Sequence, residues 1–193
     1  MKRVVIAMNN PLVEEFAQRW ATLGGLCYFA EAGTDPGAAF RQAVGDLLGE
    51  ANGPGSALYW SGPDWDGKAW AEWTRPLDSV QFVAWDGTPV MREVAAGADL
   101  GITGCSWAVA ATGSVALYHT PLTGLLPSVL PPAHLVLVNH KDIVATVADG
   151  LGRVRGNLPP LMKIITGPSM TADIEGTLVV GVHGPGRVAA LIY

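Results

Sequence analysis

The feature that most restricts this chain is a regular exchange of short apolar runs with amphipathic segments, each change marked by Gly, Pro or Asn. Asn10-Pro11 sets a capping side chain before a proline at the first helical position. Leu12, Val13, Phe16, Trp20 and Leu23 then recur at helical spacing until Gly24-Gly25. Leu26 to Ala30 reads as a strand. Asp35-Pro36 opens a second helix with Phe40, Val44, Leu47 and Leu48 on one face, and Ser56 to Trp60 is the next strand. Val80 to Trp85 is a strand closed by Asp86-Gly87, and Pro89 to Ala96 a short helix. This alternation predicts an α/β domain with a mostly parallel sheet, because parallel neighbours need a crossover long enough to hold a helix.

The second half continues the pattern. Leu100 to Ile102, Ser114 to Tyr118, Leu135 to Asn139, Met162 to Thr166 and Arg187 to Tyr193 read as strands. Ser106 to Ala111 reads as a helical turn. Lys141 to Leu151 reads as a helix, with Ile143, Val144, Val147 and Leu151 on one face. Lys2 to Met8 is a short strand or a lead-in. With no repeat or linker, the 193 residues fit one domain, 1–193. A stretch around 61–78 stands apart, with Trp65, Trp70 and Trp73 among Asp64, Asp66, Lys68 and Glu72. It reads as an insertion or lid. Its tryptophans either pack on the body or form an aromatic wall for a ligand, a partner or a second copy in a homodimer.

The formal net charge is −5 and no Lys/Arg cluster occurs, which argues against a nucleic-acid partner. Only 15% of residues are charged and 49% are apolar, with 24 Gly and 14 Pro, the balance of a tightly turned globular chain. The most apolar window, Pro121 to Val138, is broken by Pro127, Pro131 and Pro132, so no membrane helix is expected there. The apolar run after Met1-Lys-Arg is too short for a secretion signal, and a cytoplasmic location is expected. Cys27 and Cys105 are the only cysteines, without the spacing of a zinc or iron–sulfur site; no metal is expected and no cofactor is specified.

Three glycine turns follow apolar runs: Gly101-Ile-Thr103-Gly104, Thr112-Gly113-Ser114 and Gly167-Pro-Ser169. Glycine lets a backbone approach a ligand, and the hydroxyls of Thr103, Thr112, Ser114, Ser169 and Thr171 suit phosphate or carboxylate oxygens. Ligands of open α/β sheets sit beyond the carboxyl ends of the strands, so the three turns are candidates to line one crevice for a small anion. Gly101 to Gly104 is neither a P-loop nor a dinucleotide fingerprint. After Gly167-Pro168 the pattern predicts a helix start. Ser169 or Thr171 then serves either as its cap or as an anion ligand at its positive end. Asp173 and Glu175 follow closely, as candidate base or nucleophile. His183, before Gly184-Pro185, is either a general acid or base or a turn residue. His119, His134 and His140 lack metal-ligand spacing, and no nucleophile-elbow motif is present.

Ala98-Asp-Leu-Gly-Ile-Thr-Gly104, Ala108-Val-Ala-Ala-Thr-Gly-Ser114, Leu130-Pro-Pro-Ala-His-Leu135, Gly167-Pro-Ser-Met-Thr-Ala-Asp-Ile-Glu175 and Gly181-Val-His-Gly-Pro185 resemble, in that order, the LUD-domain family, in its lactate-utilisation protein C group. The resemblance covers about residues 80 to 193. It implies a Rossmann-like three-layer sandwich of the sugar-phosphate isomerase and CoA-transferase (NagB/RpiA) type. It also implies a role in oxidising lactate to pyruvate beside partner proteins that carry iron–sulfur clusters. Two other functions fit such a fold: an independent isomerase or acyl-transferase acting through Asp173 or Glu175, and a binding module without chemistry. The chain departs from the family at Ser106 and Ala111, where acids are usual, and at Met170, where Arg or Asn is common.

Overall fold

In a computed structural model, the described residues are 10–30, 35–49, 55–60, 67–120, 123–156, 158–172 and 178–193. The elements are α1 (Pro11–Thr22), β1 (Leu26–Phe29), α2 (Gly37–Leu48), β2 (Gly55–Trp60), α3 (Gly67–Thr74), β3 (Val80–Trp85), α4 (Met91–Gly97), β4 (Leu100–Thr103), β5 (Trp107–Val109), β6 (Ser114–His119), β7 (Ala133–Val138), β8 (Ile143–Val144), α5 (Val147–Gly152), β9 (Leu161–Ile165), β10 (Met170–Ala172), β11 (Leu178–Val180) and β12 (Arg187–Ile192). Short 3-10 turns occupy Leu126–Ser128 and His140–Asp142.

Six strands form the central sheet in the order β1-β12-β7-β4-β2-β3, and each neighbouring pair is parallel. Every residue of β7 is buried, as expected for a strand covered on both faces. The period-2 alternation sorts its side chains. Leu135 and Leu137 join Phe40, Val44 and Leu47 of α2 and Trp73 of α3 on one face. Val136 and Val138 join Phe16 and Trp20 of α1 and Ala95 of α4 on the other. Helices therefore cover both faces of a mostly parallel sheet, the three-layer architecture expected.

Local chemistry sets the first helix. The Asn10 side chain accepts from the Leu12 N–H at 3.0 Å, and Val13, Phe16, Ala17 and Trp20 form the buried stripe. At its far end the Trp20 indole N–H donates to the Leu26 carbonyl at 2.9 Å. A Cβ on Gly25 would lie 2.2 Å from that indole nitrogen, so the close turn excludes a side chain. In the tryptophan segment, Trp70 stacks near Tyr59 and packs edge-on to Phe40, while Trp73 donates to Asp35 and lies beside Phe40. Both pack on the body. Trp65 lies outside the described residues.

The second half departs from the expected alternation. The order β8-β5-β6-β9 forms a separate four-stranded sheet in which β5–β6 and β6–β9 are antiparallel. It packs through Ala108, Val115 and Leu117 onto the same core as α1. The helical turn expected at Ser106 to Ala111 is instead β5, because Trp107 and Val109 bury against Ala116 and Val144. The helix expected over Lys141 to Leu151 begins only at Val147. β-branched Ile143 and Val144 pair with β5, and Thr146 with Asp149 closes a capping box that fixes the true start.

The helix start expected after Gly167-Pro168 is also replaced, by β10, which pairs with β11 as an antiparallel hairpin. Ser169 is committed through its backbone: its N–H donates to Pro185 O at 2.9 Å, and its carbonyl accepts from Gly181 N–H at 2.8 Å. Those bonds tie it to the 181–185 loop. Residues 2–8, Asp173 and Glu175 lie outside the described residues. Among the described residues, no helix is long and apolar enough to cross a membrane.

Candidate functional site

A cavity of about 230 Å³ lies between β9, the Gly167-Pro-Ser169 turn and the 181–185 loop. Its wall includes His134, Lys163, Thr166, Gly167, Ser169 and His183. Two different sheets and a long-range loop are needed to enclose it. His134 is the second residue of β7, and Val188, also in the wall, is the second of β12. The cavity thus borders the amino ends of two central strands.

Lys163 is the chemical focus. It is half-buried in β9, the outer strand of the small sheet. Its ammonium donates to the Ser128 carbonyl at 3.0 Å and lies 3.5 Å from the Ser128 hydroxyl. Among the described residues the ion pair is Arg153 with Asp142, so no described carboxylate neutralises Lys163. Burial lowers its pKa from 10.5 to about 8, which leaves it mainly protonated at neutral pH.

Gly101 builds this arrangement indirectly. A Cβ there would sit 1.6 Å from the Pro127 carbonyl oxygen. Glycine lets the 126–128 turn press onto β4, and that turn presents the Ser128 carbonyl to Lys163. On the same strand, Thr103 Oγ1 lies 2.8 Å from His134 Nε2, with both residues buried. Burial first, and then the Lys163 charge, lowers the His134 pKa to about 3, so the ring is neutral. Among the described residues, the cavity wall therefore carries the Lys163 ammonium beside the neutral His134 ring.

The other turns approach this place unevenly. Ser114 Oγ is 2.8 Å from Thr112 Oγ1 and 2.8 Å from Thr166 Oγ1, which links the β5–β6 turn to the cavity wall. Gly113 has φ +62°, and a Cβ on it would meet the α1 backbone at Trp20. Gly167 has φ +79° and sits against Leu23, so it shapes the wall by close packing. Gly167, Ser169 and His183 line the cavity; Thr103 and Ser114 are one hydrogen bond removed. Gly101, Gly104, Thr112, Gly113 and Thr171 are outside its wall. Asp173 and Glu175 lie outside the described residues.

Lys163, Thr166, His134 and Ser128 were missed among the sequence-level candidates. Lys163 did leave a signal: it is the one charge in the apolar run Leu161 to Ile165. His134 and Ser128 left none, since their roles depend on pairings across 31 and 35 residues.

The two thiols are unsuited to redox or metal chemistry as placed: burial pushes both Cys27 and Cys105 up to about 12. Among the described residues, no cluster of three or more His, Cys, Asp or Glu could hold a metal ion.

The LUD domain family model matches residues 73–193. Lactate utilization protein C 1 of Bacillus mycoides (strain KBAB4) is 38% identical over 122 residues, covering 59% of this chain and 52% of that protein. Lactate utilization protein C of Halalkalibacterium halodurans is 31% identical over 160 residues, covering 79% of this chain and 68% of the relative. The chain thus spans about half to two thirds of the length of these relatives. The crystal structure of a DUF162 family protein from Deinococcus radiodurans superposes with a TM-score of 0.63 at 24% identity, over 94% of this chain and 95% of the other. That likeness supports the three-layer fold. On the family match and these identities, the chain belongs to the LUD domain family.

Proposed function

We propose that this protein is a non-redox component of a lactate-utilisation system that binds a small carboxylate, of the lactate or pyruvate kind, at the Lys163 cavity. The observation that carries this is a half-buried ammonium without a carboxylate partner among the described residues, facing a cavity of about 230 Å³. Burying a charge without a counter-charge costs free energy, and a ligand carboxylate offsets that cost. Ser169, Thr166 and His183 add polar groups for the rest of the ligand. The volume lies below the roughly 300–1,000 Å³ of pockets for drug-sized ligands, which disfavours CoA as the occupant.

The relatives' names supply the lactate context. With Cys27 and Cys105 as its two cysteines, this chain lacks the four thiolates of an iron–sulfur cluster, so electron transfer falls to partner proteins carrying such clusters in the cytoplasm. Thermal-shift and calorimetric titration with L-lactate, D-lactate, pyruvate, acetyl-CoA and ribose 5-phosphate tests the site. A ligand at about 100 times its Kd adds roughly 2.7 kcal/mol, or about 5–10 °C for a chain of this size. Binding of the small carboxylates, lost in Lys163→Met, is the expected result. A shift with acetyl-CoA or the sugar phosphate alone would overturn the reading. Co-purification with iron–sulfur proteins tests the assembly.

A further inference from the structure

We infer that Lys163 is a nucleophilic amine that condenses with the carbonyl of a small 2-oxo acid, so that the site retains the keto acid covalently and the hydroxy acid only by charge. The inference rests on the carboxylate reading above and deepens it by naming the preferred ligand class.

The geometry supplies what the reaction needs. Lys163 reaches the cavity from a strand, a rigid support, and its described partners are the Ser128 carbonyl and hydroxyl. A carbonyl can hold an ammonium but cannot stabilise it as a carboxylate does. The neutral His134 ring in the wall adds no negative charge. Burial lowers the pKa of the amine to about 8, so a usable fraction is unprotonated near neutrality. His183 stands in the same wall, beside Gly184-Pro185, and is the candidate proton donor and acceptor for the step.

The step balances without any oxidant. The Nζ lone pair attacks the ketone carbon and forms a C–N bond, while the carbonyl oxygen takes up a proton. The carbinolamine then loses its hydroxyl as water, and the nitrogen loses its second proton as the C=N bond forms. One keto acid and one lysine give one imine and one water. The reaction reverses on hydration. Lactate, which has a hydroxyl in place of the carbonyl, stops at charge pairing.

The test is reductive trapping. The full chain is incubated with pyruvate or L-lactate at pH 7 and 8, treated with sodium borohydride and mapped by peptide mass spectrometry; lactate binding is measured separately by calorimetry. The chain has four lysines, so exposed Lys141 serves as an internal control. The expected result is a pyruvate adduct at Lys163 at least tenfold above that at Lys141, with none from lactate. Lys163→Arg should lose the adduct. If lactate binds and pyruvate leaves no preferential adduct at Lys163, the imine fails and the carboxylate site stands. If neither acid binds and no adduct forms, both fail. A Lys163 adduct without lactate binding would support the amine and overturn charge pairing as the basis of retention.

Discussion

Replacing Lys163 with methionine should make the protein more stable while removing its ligand. In the native fold the Lys163 pKa is near 8, against 10.5 for the free side chain. A difference of about 2.5 units at 1.36 kcal/mol each corresponds to roughly 3 kcal/mol of penalty on the native state. Lys163 is only half-buried, so solvent screening reduces this to about 1–2 kcal/mol. Methionine fills similar volume without a charge. The Ser128 carbonyl loses its donor but borders a cavity large enough for water to replace it. The expected gain at pH 7 is therefore about 2–8 °C in Tm.

The sign follows from linkage. The folded pKa is depressed, so the unfolded chain binds the extra proton between pH 8 and 10.5, and wild-type stability recovers as pH rises through that window. The gap between variant and wild type should close by about pH 10.5. Calorimetry of both proteins from pH 6 to 10.5, beside lactate titration at pH 7, is the assay. A fall in Tm at pH 7, or a gain that does not shrink with rising pH, would refute the assignment of a strained charge to this cavity.

His134 and His119 both have lowered pKa values, for burial first, and so should weaken the fold in acid. His134 is neutral in the fold down to about pH 3 and charges near 6.5 when unfolded; its contribution is complete above 6.5 and declines below, by up to about 1.4 kcal/mol per unit. His134→Gln should flatten the dependence of stability on pH between 6.5 and 4, measured by urea unfolding; an unchanged slope would exclude His134 as its source. Gly101→Ala should cost more than 3 kcal/mol or prevent folding, because its Cβ would fall 1.6 Å from the Pro127 carbonyl; Gly45→Ala, with open space around it inside α2, should be neutral or stabilising by up to about 1 kcal/mol in the same denaturation assay. Asn10→Ala should cost about 1 kcal/mol through the lost cap on α1, and a wild-type midpoint in urea would contradict that role.

The first half of the fold was legible because its signals are local. Asn10-Pro11 and Gly24-Gly25 bracket α1, and Asp35-Pro36 opens α2. The apolar runs between them became strands of a parallel sheet, since runs this short, flanked by Gly, Pro and Asp turns, suit a covered strand better than a helix. Even β12, the last element, read as a strand; its place between β1 and β7 did not. Strand order is a property of contacts between distant segments, and local spacing carries no record of it.

The same limit explains the errors after Gly104. Ile143 and Val144 match a helical face, but pairing with β5 outweighs that weak preference. Ser169 and Thr171 look like a helix entry until the Ser169 backbone is engaged by Pro185 and Gly181. At the cavity, Gly167, Ser169 and His183 were legible from their motif, whereas Lys163 and His134 were not. A charge in an apolar run becomes a candidate binding group only when the fold leaves it half-buried, here with no carboxylate partner among the described residues. That depends on the packing of β9, β7 and the 126–128 turn, since desolvation and missing neighbours exist only once the chain is folded.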